Sequence, residues 1–197
     1  IFENAEIISA LASLSVGNLS KQGLSQASQS FIISALTDNP IYFDLAVQVS
    51  KLFQSKFKPD PDGKPSMSKG DYFDRLAKLK TRISSVQAES ERMILHAMLE
   101  ATDLTLRTNF YVPDRFALSM RLNPKLMMDV ASADGSIKDQ PLPYGVFFVH
   151  GSSFSAFHCR FRDISRGGLR IVTPGTKEQH VVECTRHFDE VYGLSLG

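Results

Sequence analysis

The stretch YGVFFVHGSSFSAFHCRFRDISRGGLRIVT, Tyr144 to Thr173, carries three strand signals in thirty residues. YGVFFVHG, Tyr144 to Gly151, is apolar enough to predict a central strand. In FSAFHCRFRDI the pattern alternates, with Phe157, Cys159 and Phe161 on one face and His158, Arg160 and Arg162 on the other. LRIVT predicts a further short strand. The paired glycines before it, Gly167 and Gly168, predict a turn or a close approach of the backbone to something small. Upstream, RFALSMRL (Arg115 to Leu122) also has strand texture, and ASADGSIKDQPLP between these strands reads as a loop. Downstream, KEQHVVECTRHFDEVYG predicts a closing helix with Val181, Cys184, Phe188 and Val191 turned inward.

Towards the N-terminus the periodicity lengthens. DNPIYFDLAVQVSKLFQSKF places Ile41, Leu45, Val49, Leu52 and Phe53 on one helical stripe, with Asp38 or Asn39 as cap and Pro40 in the first turn. Apolar segments at Ile7–Leu14 and Phe31–Leu36 predict two earlier helices, the first stopping near Gly17. KPDPDGKPSMSKG, Lys58 to Gly70, holds three prolines and two glycines and predicts a mobile loop without regular structure. Helix resumes at Tyr72 with Phe73, Leu76, Leu79 and Ile83 on one face. After a soft break near Ser84–Ser90, Ile94, Ala97, Met98, Ala101 and Leu104 recur at helical spacing. The methionines at 93, 98, 120, 127 and 128 read as core filler. The expected fold is therefore α+β: a helical region over 1–107 with the mobile loop at 58–70, then an α/β part over 108–197 with a mixed sheet and a flanking helix.

Composition narrows the function. The chain has 197 residues with net charge +1, from 22 basic and 21 acidic side chains. That balance argues against a dedicated nucleic-acid binder, whose affinity comes largely from neutralising phosphates. No apolar run approaches the roughly 20 residues needed to cross a bilayer, so no membrane partner is expected. Cys159 and Cys184 form no CxxC pattern, which favours a reducing, intracellular setting, cytoplasmic or mitochondrial. The first residues, IFENAEIISA, have neither an initiating Met nor a signal-like core, so the chain is expected to begin inside a longer polypeptide and to be cut again after GLSLG.

Between Phe154 and Arg170 stand four arginines and one aspartate. Arginine is always protonated and presents a fork that pairs bidentately with carboxylate or phosphate. One reading is a small-carboxylate site at Arg166 and the Gly pair. The other is structural: these arginines pair with Asp163, Glu183 or Glu190 and knit the sheet to the last helix. His180, Cys184 and His187 have metal-ligand spacing on the closing helix, but Cys184 belongs to its apolar stripe, and no metal site is expected. His158 reads as a packing or hydrogen-bonding residue; His150, at a strand end, could border a cleft. GxSxG, GxGxxG and GxxxxGK[ST] motifs are absent.

TLRTNFYVPDRFALSMRLNP, Thr105 to Pro124, and PYGVFFVHGSSFSAFHCRFRDISRGGLRIVTP, Pro143 to Pro174, strongly resemble the large NAD-specific glutamate dehydrogenases of fungi, protists and some bacteria. The resemblance runs nearly continuously from about Glu91 to the end and weakens over Phe31–Phe57. Small hexameric glutamate dehydrogenases carry a similar Lys-Gly-Gly-Ile/Leu-Arg segment whose lysine binds the side-chain carboxylate of glutamate. The resemblance thus implies substrate-binding roles for Arg166, in the lysine position, and for Gly167, Gly168 and Arg170. It implies oxidative deamination of L-glutamate to 2-oxoglutarate and ammonia, with hydride passing to NAD, in a parent enzyme expected to be a homo-oligomer. The family's catalytic lysine and NAD-binding domain would lie beyond residue 197. This segment, the start of the substrate domain, is therefore expected to hold no catalytic residue, to bind no NAD and to be inactive without the rest of the same polypeptide. The competing expectation is a non-catalytic regulatory or oligomerisation module of a larger protein.

Overall fold

The computed structural model describes residues 2–127, 144–152, 154–160 and 167–171. The described residues form five helices and a five-stranded sheet, an α+β fold. The chain divides after Asp103 into a helical unit and a sheet unit.

In the helical unit α1 spans Phe2–Lys21. Ile7, Ile8, Ala10, Leu11, Ala12, Leu14 and Leu19 are all buried. A helix apolar on nearly every side belongs at the centre of a core, and α1 packs against both α2 (Gln29–Thr37) and α3 (Pro40–Phe57). Gly17 does not stop it. The stop comes at Gly23, whose φ of +100° closes the helix. There Gly23 N–H donates to Ser20 O and Leu24 N–H to Leu19 O, and Leu19 and Leu24 are both buried. Ser28 Oγ caps α2 and Asn39 Oδ1 caps α3, with Pro40 at its first position. Leu45, Val49, Leu52 and Phe53 of the α3 stripe are buried, whereas Ile41, in the first turn, is 65% exposed.

Lys58 to Ser68 folds back on itself. Asp60 N–H donates to Lys64 O, Ser66 N–H to Lys58 O, and Asp60 Oδ1 accepts from the amides of Asp62 and Lys64. Ser68 Oγ then caps α4 (Lys69–Ser84), which begins three residues earlier than its apolar pattern predicts. Tyr72, Leu79 and Ile83 form its inner face; Phe73, one step further round, is exposed. After a short break α5 runs Glu89–Leu104 and buries Ile94, Ala97, Met98 and Ala101.

Polar contacts fix these helices in register. Ser50 Oγ and Gln54 Nε2 of α3 both donate to Asn4 Oδ1 of α1. Lys56 Nζ donates to the Thr102 and Asp103 carbonyls at 2.9 and 2.7 Å, where the negative end of the α5 dipole favours a cation. Burial nevertheless pulls the Lys56 amine down to about 8, against the opposing charge of Asp103. Tyr72 Oη donates to Asp103 Oδ1 at 3.0 Å, and burial, reinforced by that carboxylate, raises its phenol above the usual tyrosine range.

Helix gives way to strand at Thr105, earlier than the sequence predicts: β1 is Thr105–Thr108. The other strands are β2 (Leu118–Leu122), β3 (Gly145–His150), β4 (Ser155–Arg160) and β5 (Gly167–Ile171). They lie in sequence order, and every described pairing is antiparallel, so among the described residues the sheet is an antiparallel meander rather than a mixed one. The short loop from His150 to Ser155 makes β3 and β4 antiparallel, because a parallel neighbour needs a crossover of a dozen or more residues. β3 is central, as its apolar run predicts. The expected closing helix lies outside the described residues.

Asn109 anchors the β1–β2 connection: its side chain donates to Ala117 O and accepts from Ser119 N–H. At the β3–β4 loop, Gly151 N–H donates to Phe154 O at 2.9 Å. A methyl group on Gly151 would lie 2.6 Å from the Phe154 ring, so that corner needs glycine. Phe154 itself sits in a small core with Ala117, Val149 and Ala156.

Candidate functional site

Of the residues singled out by sequence, Gly167, Gly168 and Arg170 fall on β5. Gly167 and Gly168 do not make a turn. They are the first two residues of β5, opposite Arg160 and Cys159, and Arg170 stands opposite Phe157. The reading of the Gly pair as a turn is corrected accordingly: strand pairing already holds both peptides. Arg166 lies outside the described residues, as do Arg162, Asp163 and the His180, Cys184, His187 set.

Residues directly opposite one another in an antiparallel pair share a face. Gly145 of β3, Arg160 of β4 and Gly167 of β5 therefore form one row across three strands. Two of its three positions have no side chain, and between them Arg160 is exposed. The Phe147 ring covers Gly145, 3.2 Å from where a Cβ there would stand, so the bare position beside Arg160 is that of Gly167 on β5. Sequence reasoning placed Arg160 on a polar face but did not set it opposite Gly167. The alternation in FSAFHCRFRDI was the available signal; the pairing across strands was not.

The next row joins Phe147, His158 and Leu169. The His158 ring stacks on Phe147 at 6.3 Å, matching its reading as a packing residue. Burial, and secondarily the charge of Arg160, lowers the His158 pKa. The neutral imidazole thus adds no positive charge beside Arg160. At the far end of the hairpin His150 Nδ1 and Ser155 Oγ share a hydrogen bond of 2.7 Å. Burial depresses the His150 imidazole to about 4. Five residues of strand, about 17 Å, separate that pair from the Arg160 row, and it lies on the opposite face.

Among the described residues no group of three His, Cys, Asp or Glu side chains could hold a metal ion. No described helix is long and apolar enough to cross a membrane. An exposed arginine on an antiparallel sheet, beside a histidine kept neutral by burial, gives the class at its coarsest: an α+β protein with a cationic position on its sheet.

Comparison with known proteins gives that class a family. Residues 78–180, just over half of the chain, match the family described as bacterial NAD-glutamate dehydrogenase, catalytic domain, and the chain belongs to it. The NAD-specific glutamate dehydrogenase of Neurospora crassa is 40% identical over 121 residues, covering 60% of this chain and 11% of that protein. Glutamate dehydrogenase 2 of Dictyostelium discoideum is also 40% identical over 121 residues, 61% of this chain and 11% of that protein. The NAD-specific enzyme of Pseudomonas aeruginosa is 30% identical over 149 residues, 71% of this chain and 8% of that protein. The chain thus spans about a tenth of the length of these relatives.

Proposed function

We propose that this chain supplies part of the substrate-carboxylate site of an NAD-dependent glutamate dehydrogenase, whose parent polypeptide converts L-glutamate to 2-oxoglutarate and ammonia. The supporting observation is the Gly145–Arg160–Gly167 row. One carboxylate of a dicarboxylic amino acid lies against the strand at Gly167 and takes charge-assisted hydrogen bonds from guanidinium groups. Arg166, one residue before Gly167 in the chain, contributes the main contact, and Arg160 flanks it. Gly167 and Gly168 keep the approach to the strand open, and Arg170 completes the segment. A neutral His158 beside the row can donate or accept a single hydrogen bond.

NAD would accept the hydride in the parent activity. The residues of this chain do not fit a dinucleotide: the sequence has no Gly-x-Gly-x-x-Gly turn, and no described strand pair is parallel. Hydride transfer is therefore assigned to other parts of the parent enzyme.

Loss of a charge-assisted hydrogen bond costs about 1.5–3 kcal/mol, roughly ten- to a hundredfold in affinity. Arg166→Ala in the full-length parent is expected to raise the glutamate KM by at least about tenfold, with a smaller rise for Arg160→Ala. Both variants should leave the NAD KM unchanged. Wild-type glutamate kinetics in both would remove the β4–β5 edge from the site.

A further inference from the structure

The helical unit carries a second cationic feature, remote in sequence from the arginine segment. On α3, Gln48, Lys51, Leu52 and Ser55 follow the spacing i, i+3, i+4, i+7, and on α4 Arg75, Lys78, Leu79 and Arg82 repeat it. Residues so spaced share one helix face. The two faces line one groove of about 370 Å³, within the size range of small-ligand sites. Buried Leu52 and Leu79 form its floor, and Lys51, Arg75, Lys78 and Arg82 ring it.

The ring is not internally balanced. Arg82 is engaged at one end, where it meets Asp44 at 3.6 Å and donates to Gln48. Lys51, Arg75 and Lys78 have no acidic partner among the described residues. Three like charges around an apolar floor repel one another and stay fully solvated unless an anion enters. Packing alone would be served by the leucines with neutral or alternating charges around them. Such a groove selects a compact, multiply charged anion with some apolar surface.

We propose that the α3–α4 groove is a binding site for a small polyanion, a phosphate ester or a polycarboxylate, distinct from the substrate-carboxylate site. The anion spans Lys51 on one helix and Lys78 and Arg75 on the other, resting its carbon skeleton on Leu52 and Leu79. Bridging two helices, it stabilises the α3–α4 pair by as much as it prefers the folded chain.

The test is calorimetric titration of the whole 197-residue chain with pyrophosphate, citrate and acetate at fixed ionic strength. Pyrophosphate or citrate should bind, the tighter of the two identifying the phosphate or polycarboxylate class, while acetate should not. Lys51→Glu and Lys78→Glu, both on exposed positions, should each weaken binding by about tenfold or more. Lys80→Glu, on the same helix outside the groove, should leave it unchanged. Circular dichroism matching wild type separates lost binding from lost fold; should a reversal fail to fold, Lys78→Gln replaces it. Absence of binding by both polyanions, or equal loss in Lys80→Glu, would overturn the proposal. It stands or falls independently of Arg166, whose variants leave this groove intact.

Discussion

The helical and sheet units solve the same folding problem by different means. The helices are held mainly by side-chain volume: α1 buries apolar residues on almost every side, and its neighbours close over it. The strands are held by register, and they tolerate polar groups such as Asn109, Ser119 and Ser155 in buried positions because defined partners satisfy them. A helix core therefore fails by cavity formation, whereas the hairpins fail by a misplaced atom or an untimely charge. The family match cuts across this division, beginning at residue 78 within α4 rather than at Asp103, where the units separate. The second half of α4 and all of α5 thus resemble the catalytic-domain family in sequence, while α4 packs against α3 and α5 is hydrogen-bonded to α1 and α3.

The largest effect is expected at the centre of the helical unit. Leu11 is fully buried on α1, and Leu11→Ala should cost about 2–5 kcal/mol through lost transfer energy and a residual cavity. Urea denaturation followed by far-ultraviolet circular dichroism measures it. A loss under about 0.5 kcal/mol, the range of ordinary surface substitutions, would show that α1 is not the core helix. Neither helical propensity nor a strong amphipathic stripe would have identified α1 as central. Its burial takes in Ser13 and Ser15 as well as the apolar residues, which only the fold reveals.

A smaller loss is expected in the sheet unit at Gly151. Alanine there places its methyl against the Phe154 ring, which is only 2% exposed and has little room to move. Overpacking of this kind costs about 1–3 kcal/mol. Pairing Gly151→Ala with Phe154→Leu tests the mechanism, because a smaller neighbour should recover part of the loss. Purely additive effects would place the strain elsewhere.

The contrast also explains what the sequence revealed. Features set by local chemistry were legible: the Asn39–Pro40 helix start, the central strand at Gly145–His150, and the alternation along Ser155–Arg160. Features set by distant atoms were not. Gly17 resembled a helix stop, yet the left-handed residue that ends α1 is Gly23, recognisable only with Leu24 folded back over Leu19. Ile41 and Phe73 obeyed the helical period but sit at the margins of their stripes, facing water. Gly167 and Gly168 looked like a turn because glycine disfavours strands; pairing with β4 outweighs that preference. At the candidate site, Arg160 gained its place from Gly145 and Gly167, 15 and 7 positions away. No local pattern encodes such a row.

The smallest effect separates the units by pH rather than by volume. His150, hydrogen-bonded to Ser155 and stacked on Phe148 at 6.3 Å, has its imidazole lowered to about 4 by burial. The unfolded chain, with an ordinary histidine, takes up the proton first as pH falls. Stability contributed by the neutral ring is therefore complete above about pH 6.5 and is lost progressively towards pH 4. A full proton of difference would give a slope of about 1.4 kcal/mol per pH unit, and the partly exposed ring reduces this to a fraction. His150→Gln keeps a hydrogen-bonding group beside Ser155 while removing the titration, so the acid limb should flatten. His158 and His96 shift in the same direction and will leave a residual slope. Histidine resonances followed by NMR decide the matter directly. A His150 midpoint near 6.5 would mean that the ring is solvated and that the β3–β4 hairpin does not exclude water at that end.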